Sequence, residues 1–130
     1  MSREALIKKA IEARELAYCP YSNFKVGAAA LFEDGNIYTG CNIENASYSA
    51  TICAERVAIN KAVSEGKTKF CAIVITGGED YCYPCGVCRQ VLSEFVGSDF
   101  KIILAKNENE TKVYKLHELF PESFVLKNEK

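Results

Sequence analysis

The sequence has no charge of either sign to spare. Its 16 Lys and Arg residues face 17 Asp and Glu residues, a formal net charge of −1, and the two signs are interspersed. Without a basic stripe there is no electrostatic footprint for nucleic acid or for an anionic membrane surface. No apolar run is long enough to span a bilayer, and the first residues lack the layout of a secretory leader, so the cytosol is the expected location. Internal repeats, linkers and low-complexity segments are missing as well. A chain of 130 residues suits one domain, residues 1–130, with a core large enough to dispense with disulfide staples. Histidine is scarce: His117 is the only one, which narrows the choice of metal ligands.

Cysteine, by contrast, is plentiful. There are seven, an odd number, so complete internal pairing is impossible. A reducing compartment also disfavours structural disulfides, and clustered cysteines there point to metal binding or catalysis. Cys19, Cys41 and Cys71 stand alone among apolar or strand-like neighbours and read as small buried hydrophobes. The remaining four are Cys53 and the trio in "YCYPCGVCRQ": Cys82, Cys85 and Cys88.

Periodicity places these thiols on elements. Leu6, Ala10, Ala13 and Ala17, beside Ile7 and Ile11, predict an amphipathic helix from about Ser2 to Tyr18, with Ser2 as N-cap and Cys19-Pro20 as the stop. Alternation at Val26, Ala28, Ala30 and Phe32, the Asp34-Gly35 turn and an extended run from Ile37 to Cys41 predict a hairpin. A second helix is expected from about Cys53 to Ser64, with Ala54, Val57, Ala58 and Ala62 inward and Gly66 as its stop. "FCAIVIT" and "KIILA" read as strands buried on both faces. A third helix starts near Cys85 and turns Val91, Leu92 and Phe95 inward. "KVYKL" adds a further strand, and a short helix near His117 precedes a tail containing Phe124. Two strand–helix–strand crossovers imply parallel neighbours with helices on both faces, an α/β layered domain with a mixed sheet.

Cys53 and the Pro84-Cys85-Gly86-Val87-Cys88 stretch both fall at predicted helix N-termini. Backbone N–H groups and the helix dipole favour thiolate there, the form that binds zinc. Three thiolates aimed at one point leave a tetrahedral cation one position for water, whereas a closed site needs a fourth ligand, with His117 and Cys82 as candidates. A redox C-x-x-C and a competing Cys82–Cys85 register both remain open on spacing alone. Glu55, in the first turn after Cys53, is either an acid interacting with the helix dipole or a proton shuttle beside a metal-activated water.

Taken together, Cys53-Ala54-Glu55 followed by Pro84-Cys85-x-x-Cys88 resembles the zinc-dependent nucleoside deaminases, whose arrangement of ligands and glutamate is well established. With "YCPYSNFKVGAA", "NIENASYS", "CAER" and "PCGVCRQ" in that order, nearly the whole chain resembles cytidine deaminase of the small homotetrameric type. The resemblance implies a three-layer α/β/α fold with a mixed sheet. It implies one Zn2+ per chain on Cys53, Cys85 and Cys88, with Cys82 outside the ligand set. Glu55 becomes the proton shuttle in a hydrolysis that converts cytidine or deoxycytidine to uridine or deoxyuridine and ammonia.

The same resemblance assigns further roles. Three thiolates and a hydroxide outweigh a dication's charge, and Arg56 matches an arginine that donates hydrogen bonds to the ligand sulfurs; by sequence alone it reads as an exposed helix arginine. Asn42 and Glu44 match a ribose-binding pair, although turn chemistry also accounts for them. Phe24 matches an aromatic packed at the substrate, and the backbone of Ala54 is expected to meet the base. Phe124 matches an aromatic that reaches a neighbouring subunit's site, or else is a satellite core contact. Tyr48 is expected near a subunit boundary in a homotetramer. Arg89 and Gln90 read as structural. Tyr83, where the family has a small residue, and Cys82 are departures. Two rival readings stand beside this one: a related-fold deaminase for another cytosine nucleoside, such as a nucleoside antibiotic, and a non-enzymatic zinc module. A nucleotide substrate is disfavoured, because Glu44 near the sugar repels phosphate.

Overall fold

The structure, a computed structural model, describes residues 2–126. The first helix, α1 (Arg3–Arg14), opens on Ser2, whose Oγ accepts from the Ala5 amide at 3.2 Å, satisfying one of the free N–H groups of the first turn. Leu6, Ile7, Ala10 and Ala13 are its buried face. It ends at Arg14 rather than Tyr18. The chain must turn there so that the Tyr18 amide can donate to Asn42 O and the Tyr18 carbonyl can accept from Glu44 N, and those sheet-like bonds are incompatible with another helical turn.

The hairpin forms as predicted from β1 (Gly27–Phe32) and β2 (Ile37–Cys41). Gly35 has a φ of 90° at the turn, and Asp34 accepts from the Asn36 amide at 2.9 Å. A short 3-10 turn, Tyr48–Ala50, leads to α2 (Ala54–Ser64). Then come β3 (Phe70–Thr76), α3 (Gly86–Phe95), β4 (Lys101–Ala105), β5 (Thr111–Lys115) and α4 (Leu116–Leu119).

The five strands lie in the order β2-β1-β3-β4-β5. Only β3 and β4 are parallel neighbours; every other pair is antiparallel. The crossover through α3 therefore behaves as expected. The crossover through α2 does not join neighbours, because β1 lies between β2 and β3. β2 and β3 still run parallel, each antiparallel to the β1 strand between them; Ala28, Ala29 and Ala30 of β1 are fully buried and let helices approach the sheet from both sides.

Alternating side chains make two apolar layers. Ala28, Ala30, Ile73, Ile75, Ile102 and Leu104 face α2 and α3, meeting Ala54, Ala58, Ile59, Ala62 and Leu92. Ala29, Val74, Ile103 and Ala105 face Leu6, Ile7 and Ala10 of α1. The result is the three-layer α/β/α arrangement with a mixed sheet. Val57 is only half-buried, and Ile59 takes the inward place beside Ala58. Cys19 is buried as expected, but Cys41 is half-buried on the outer strand β2 and Cys71 is exposed. Pairing of β3 with β4 begins only at Ala72, so Cys71 sits at the sheet's end, beyond full cover.

Two glycines fix the layer spacing. A Cβ on Gly27 would lie 2.1 Å from the Ala10 carbonyl oxygen of α1, and one on Gly40 would lie 2.4 Å from the Ala54 carbonyl oxygen of α2. The second contact seats the start of α2, where Cys53 and Glu55 stand.

Candidate active site

Both α2 and α3 begin on a cysteine. Cys53 and Cys85 are the N-caps, in extended backbone conformation, and neither sulfur caps its own helix. Each Sγ is thus free to point across the gap between the helix starts, where exposed N–H groups favour an anion. Cys88, one turn into α3, is fully buried. The Sγ atoms of Cys53 and Cys85 are 3.7 Å apart, and those of Cys85 and Cys88 are 3.5 Å apart. All three lie within 4.8 Å of one another. Tetrahedral ligands at about 2.3 Å from a zinc ion sit about 3.8 Å apart, so this sulfur triangle fits zinc.

In the metal-free protein the negative charge of the triangle settles on Cys53. A hydrogen bond from Cys88, reinforced by Arg56, lowers the Cys53 thiol to about 5. Cys88, donating that bond, is held above its ordinary range. Arg56 Nη2 donates to Cys53 Sγ at 3.4 Å, and its guanidinium is shifted upward chiefly by that bond. Its buried Nε has no partner among the described residues. Arg56 is therefore not the exposed helix arginine that its sequence position suggests. Glu55 is 4% exposed, and burial raises its carboxyl above the ordinary range.

The competing ligands fall away. His117 is on the surface, 4.0 Å from Asp99. Cys82 is outside the sulfur triangle, and burial pushes its thiol up to about 11. Among the described residues, Cys53, Cys85 and Cys88 form the one group placed to hold a metal ion.

Asn42 and Glu44 converge on one loop. Asn42 Oδ1 accepts from the Val26 amide at 2.9 Å, and its Nδ2 donates to Phe24 O at 2.8 Å. Glu44 accepts from the amides of Tyr21 and Ser22 at 2.9 and 3.1 Å, and from the Ser22 hydroxyl. Those bonds hold its carboxyl below the usual range, the Ser22 hydroxyl foremost. Both side chains retain unused hydrogen-bonding capacity. The loop they hold carries Phe24, 47% exposed, whose ring rests on the backbone of Gly77 and Gly78. Ala54 is fully buried.

Phe124 and Tyr48 are 66% and 80% exposed. Gln90 ties the tail down by donating to Phe124 O at 3.1 Å. Arg89 donates to Pro84 O at 2.8 Å and to Leu119 O at 2.5 Å, bracing the loop before α3. Tyr83 is exposed, and its hydroxyl meets that of Tyr114 at 3.1 Å.

Sequence reasoning passed over Arg14. A charged residue on the inward side of α1, it donates to the end of β3. The signal was a cation at helical spacing from Ile7, Ala10 and Ile11. A cleft of about 340 Å3 beside it is lined by Arg14, Asn23, Phe24, Lys25, Gly77 and Gly78. A larger one, about 470 Å3, lies by Lys9, Leu16 and Ile37, and none of the predicted site residues lines it.

Residues 1–104 match the family model for the cytidine and deoxycytidylate deaminase zinc-binding region. The chain is 48% identical to cytidine deaminase of Halalkalibacterium halodurans over 96% of both chains. It is 47% identical to that of Sporosarcina psychrophila, over 95% of this chain and 92% of that protein. Among solved structures, cytidine deaminase of Burkholderia pseudomallei superimposes with a TM-score of 0.90 at 42% identity, over 95% of this chain and all (100%) of the other.

Proposed function

This chain belongs to the cytidine and deoxycytidylate deaminase family, and on that premise we propose that it hydrolyses cytidine and deoxycytidine to uridine and deoxyuridine, releasing ammonia. The observation that carries the reading is the pairing of a three-sulfur site with a buried carboxylate two residues after its first ligand. A structural zinc module needs a closing fourth ligand, and the described residues supply none.

Cys53, Cys85 and Cys88 would hold one zinc ion per chain, which would supply a Lewis acid that makes water nucleophilic near neutral pH. Glu55 takes a proton from the attacking water and delivers it to N3 of the cytosine ring, as the water oxygen bonds to C4 and the C4=N3 double bond opens. It then carries the remaining hydroxyl proton to the 4-amino group; the C4–N bond breaks, C4=O forms and ammonia leaves. Burial suits Glu55 to this task, because a carboxyl shifted toward neutrality both accepts and returns a proton readily. Arg56 moderates the sulfur charge through its bond to Cys53.

The base meets the backbone of Ala54, where the absence of a large side chain permits close approach. Phe24 packs against the nucleoside. Asn42 and Glu44 spend their remaining hydrogen-bonding capacity on the sugar hydroxyls, and the negative charge of Glu44 turns away a 5′-phosphate. The exposure of Phe124 and Tyr48 supports a homotetramer in which neighbouring subunits complete each site. Among the described residues no helix is long and apolar enough to cross a membrane; the cytosol is the location proposed here. One continuous sheet supports a single domain over residues 1–130.

An absorbance assay of the zinc-loaded protein with cytidine, deoxycytidine and their monophosphates tests the reading. Turnover of both nucleosides is expected, with little for the monophosphates. A strong chelator should abolish it, and added zinc should restore it. Turnover that survives complete removal of metal would refute the proposal.

A further inference from the structure

We propose that Arg14 is a positioning residue for the substrate-facing ring of Phe24. The inference rests on the preceding reading, in which Phe24 packs against the nucleoside.

A Cβ added at Gly77 would lie 3.1 Å from Phe24 Cζ, and one added at Gly78 would lie 3.0 Å from Phe24 Cε1. The ring therefore lies against the Gly77–Gly78 backbone, where a Cβ would press on it; at Gly77 the Cys82 Cβ, at 2.7 Å, crowds the position further. Two successive glycines are also the most permissive backbone a chain can present. Neither Gly77 nor Gly78 has a positive φ, so both are there for closeness rather than for a special turn. A soft floor under a binding residue costs affinity, because ordering it must then be done at the moment of binding.

Arg14 removes that softness. Its Nη1 donates to the Gly77 carbonyl at 2.6 Å and to Thr76 Oγ1 at 3.1 Å. Thr76 is fully buried at the end of β3, paired with Gly27 on one side and Ala105 on the other. One guanidinium thus ties the first peptide carbonyl after the strand to the side chain of the strand's last residue. Arg14 itself is firmly placed, since its backbone lies in the tight contact with Gly27: a Cβ there would be 2.6 Å from Arg14 N.

The rest of the Phe24 segment is clamped independently. Its amide donates to Ser22 Oγ at 3.0 Å, and its carbonyl accepts from Asn42. Asn23, with a φ of 58°, aims the chain into this corner. The backbone of Phe24 is held by Ser22 and Asn42, and its ring by the Gly77–Gly78 floor that Arg14 fixes. Both bonds leave one nitrogen, Nη1, at the far end of the side chain; a lysine at position 14 keeps the charge, but its stem is one bond shorter and its Nζ falls short of that point.

The test is steady-state kinetics of zinc-loaded R14M, R14K, F24A and the R14M/F24A double variant with cytidine. R14M should raise KM about five- to twenty-fold with kcat within about three-fold of wild type and zinc content unchanged. R14K should raise KM about three-fold or more. In the F24A background, R14M should add less than about two-fold to KM. Should R14M not fold, R14K and R14K/F24A are judged by the same pattern. An unchanged KM in folded R14M or R14K overturns the proposal, as does a KM effect of R14 substitution that persists in full without the Phe24 ring. If F24A alone leaves KM unchanged, the assignment of Phe24 to the substrate fails instead, and the inference falls with it.

Discussion

Replacing Gly40 by alanine adds one methyl group to the outer strand β2, on the face that meets the first turns of α2. Its Cβ would lie 2.4 Å from the Ala54 carbonyl oxygen, 2.6 Å from Ala58 N and 2.9 Å from Val57 Cβ. Ordinary contacts begin at 3.4 Å, and the obstacles are helix backbone, which cannot rotate aside. The first turns of α2 must therefore retreat by roughly 1 Å, carrying Cys53, Glu55 and Arg56 with them. Overpacking of this kind costs about 1–3 kcal/mol. For a domain of this length each kcal/mol lowers Tm by about 4 °C, so a fall of about 4–12 °C is expected. A misplacement of about 1 Å at the reacting centre costs on the order of 10²-fold in rate. The assay is kcat for cytidine with Tm and zinc content measured on the same preparation. A G40A protein with wild-type Tm and wild-type kcat would refute the claim that close packing at Gly40 seats the site.

Three further outcomes are expected. Glu55→Gln keeps the shape of a buried residue but cannot shuttle protons, so kcat should fall at least about 10²-fold with zinc retained; near-normal turnover would remove Glu55 from its role. Arg56→Gln removes a donor that, after the Cys88 bond, helps hold the Cys53 thiol below its ordinary range. A lowered thiol stays a metal-binding thiolate to lower pH, so without Arg56 protons displace the metal at higher pH; a chromogenic chelator should record zinc release with its midpoint shifted upward, and an unmoved midpoint would contradict the assignment. Phe124→Ala should raise KM for cytidine while leaving Tm and zinc content near wild type, and unchanged kinetics would exclude this residue from the site.

Much of this was legible in the sequence because the signals are local. Cys53 and Cys85 each precede a helical pattern, and the protein uses both as N-caps. The alternation around Asp34-Gly35 needed no tertiary knowledge to read as a hairpin. What escaped depends on partners distant in sequence. Cys71 looked buried within "FCAIVIT", but its exposure follows from where β4 begins to pair. The early end of α1 comes from bonds between Tyr18 and the 42–44 segment. Arg56 looked exposed until a sulfur three residues back was seen to receive its hydrogen bond. Arg14 binds a backbone carbonyl 63 residues away, and a carbonyl leaves no trace in residue identity. Asn42 and Glu44 looked equally suited to turn chemistry, and they do hold the Phe24 loop.

The sulfur triangle also has a mechanical side. Cys53 and Cys85 are 32 positions apart in the chain yet 3.7 Å apart at sulfur, so a shared cation acts as a removable rivet that closes α2, β3 and the following loop into a ring. By the loop-closure reasoning applied to disulfides, such a fastening is worth on the order of 3 kcal/mol. The stretch between the two helix starts should therefore become the protein's first point of protease attack when zinc is stripped, and one of its best-guarded stretches when zinc is present.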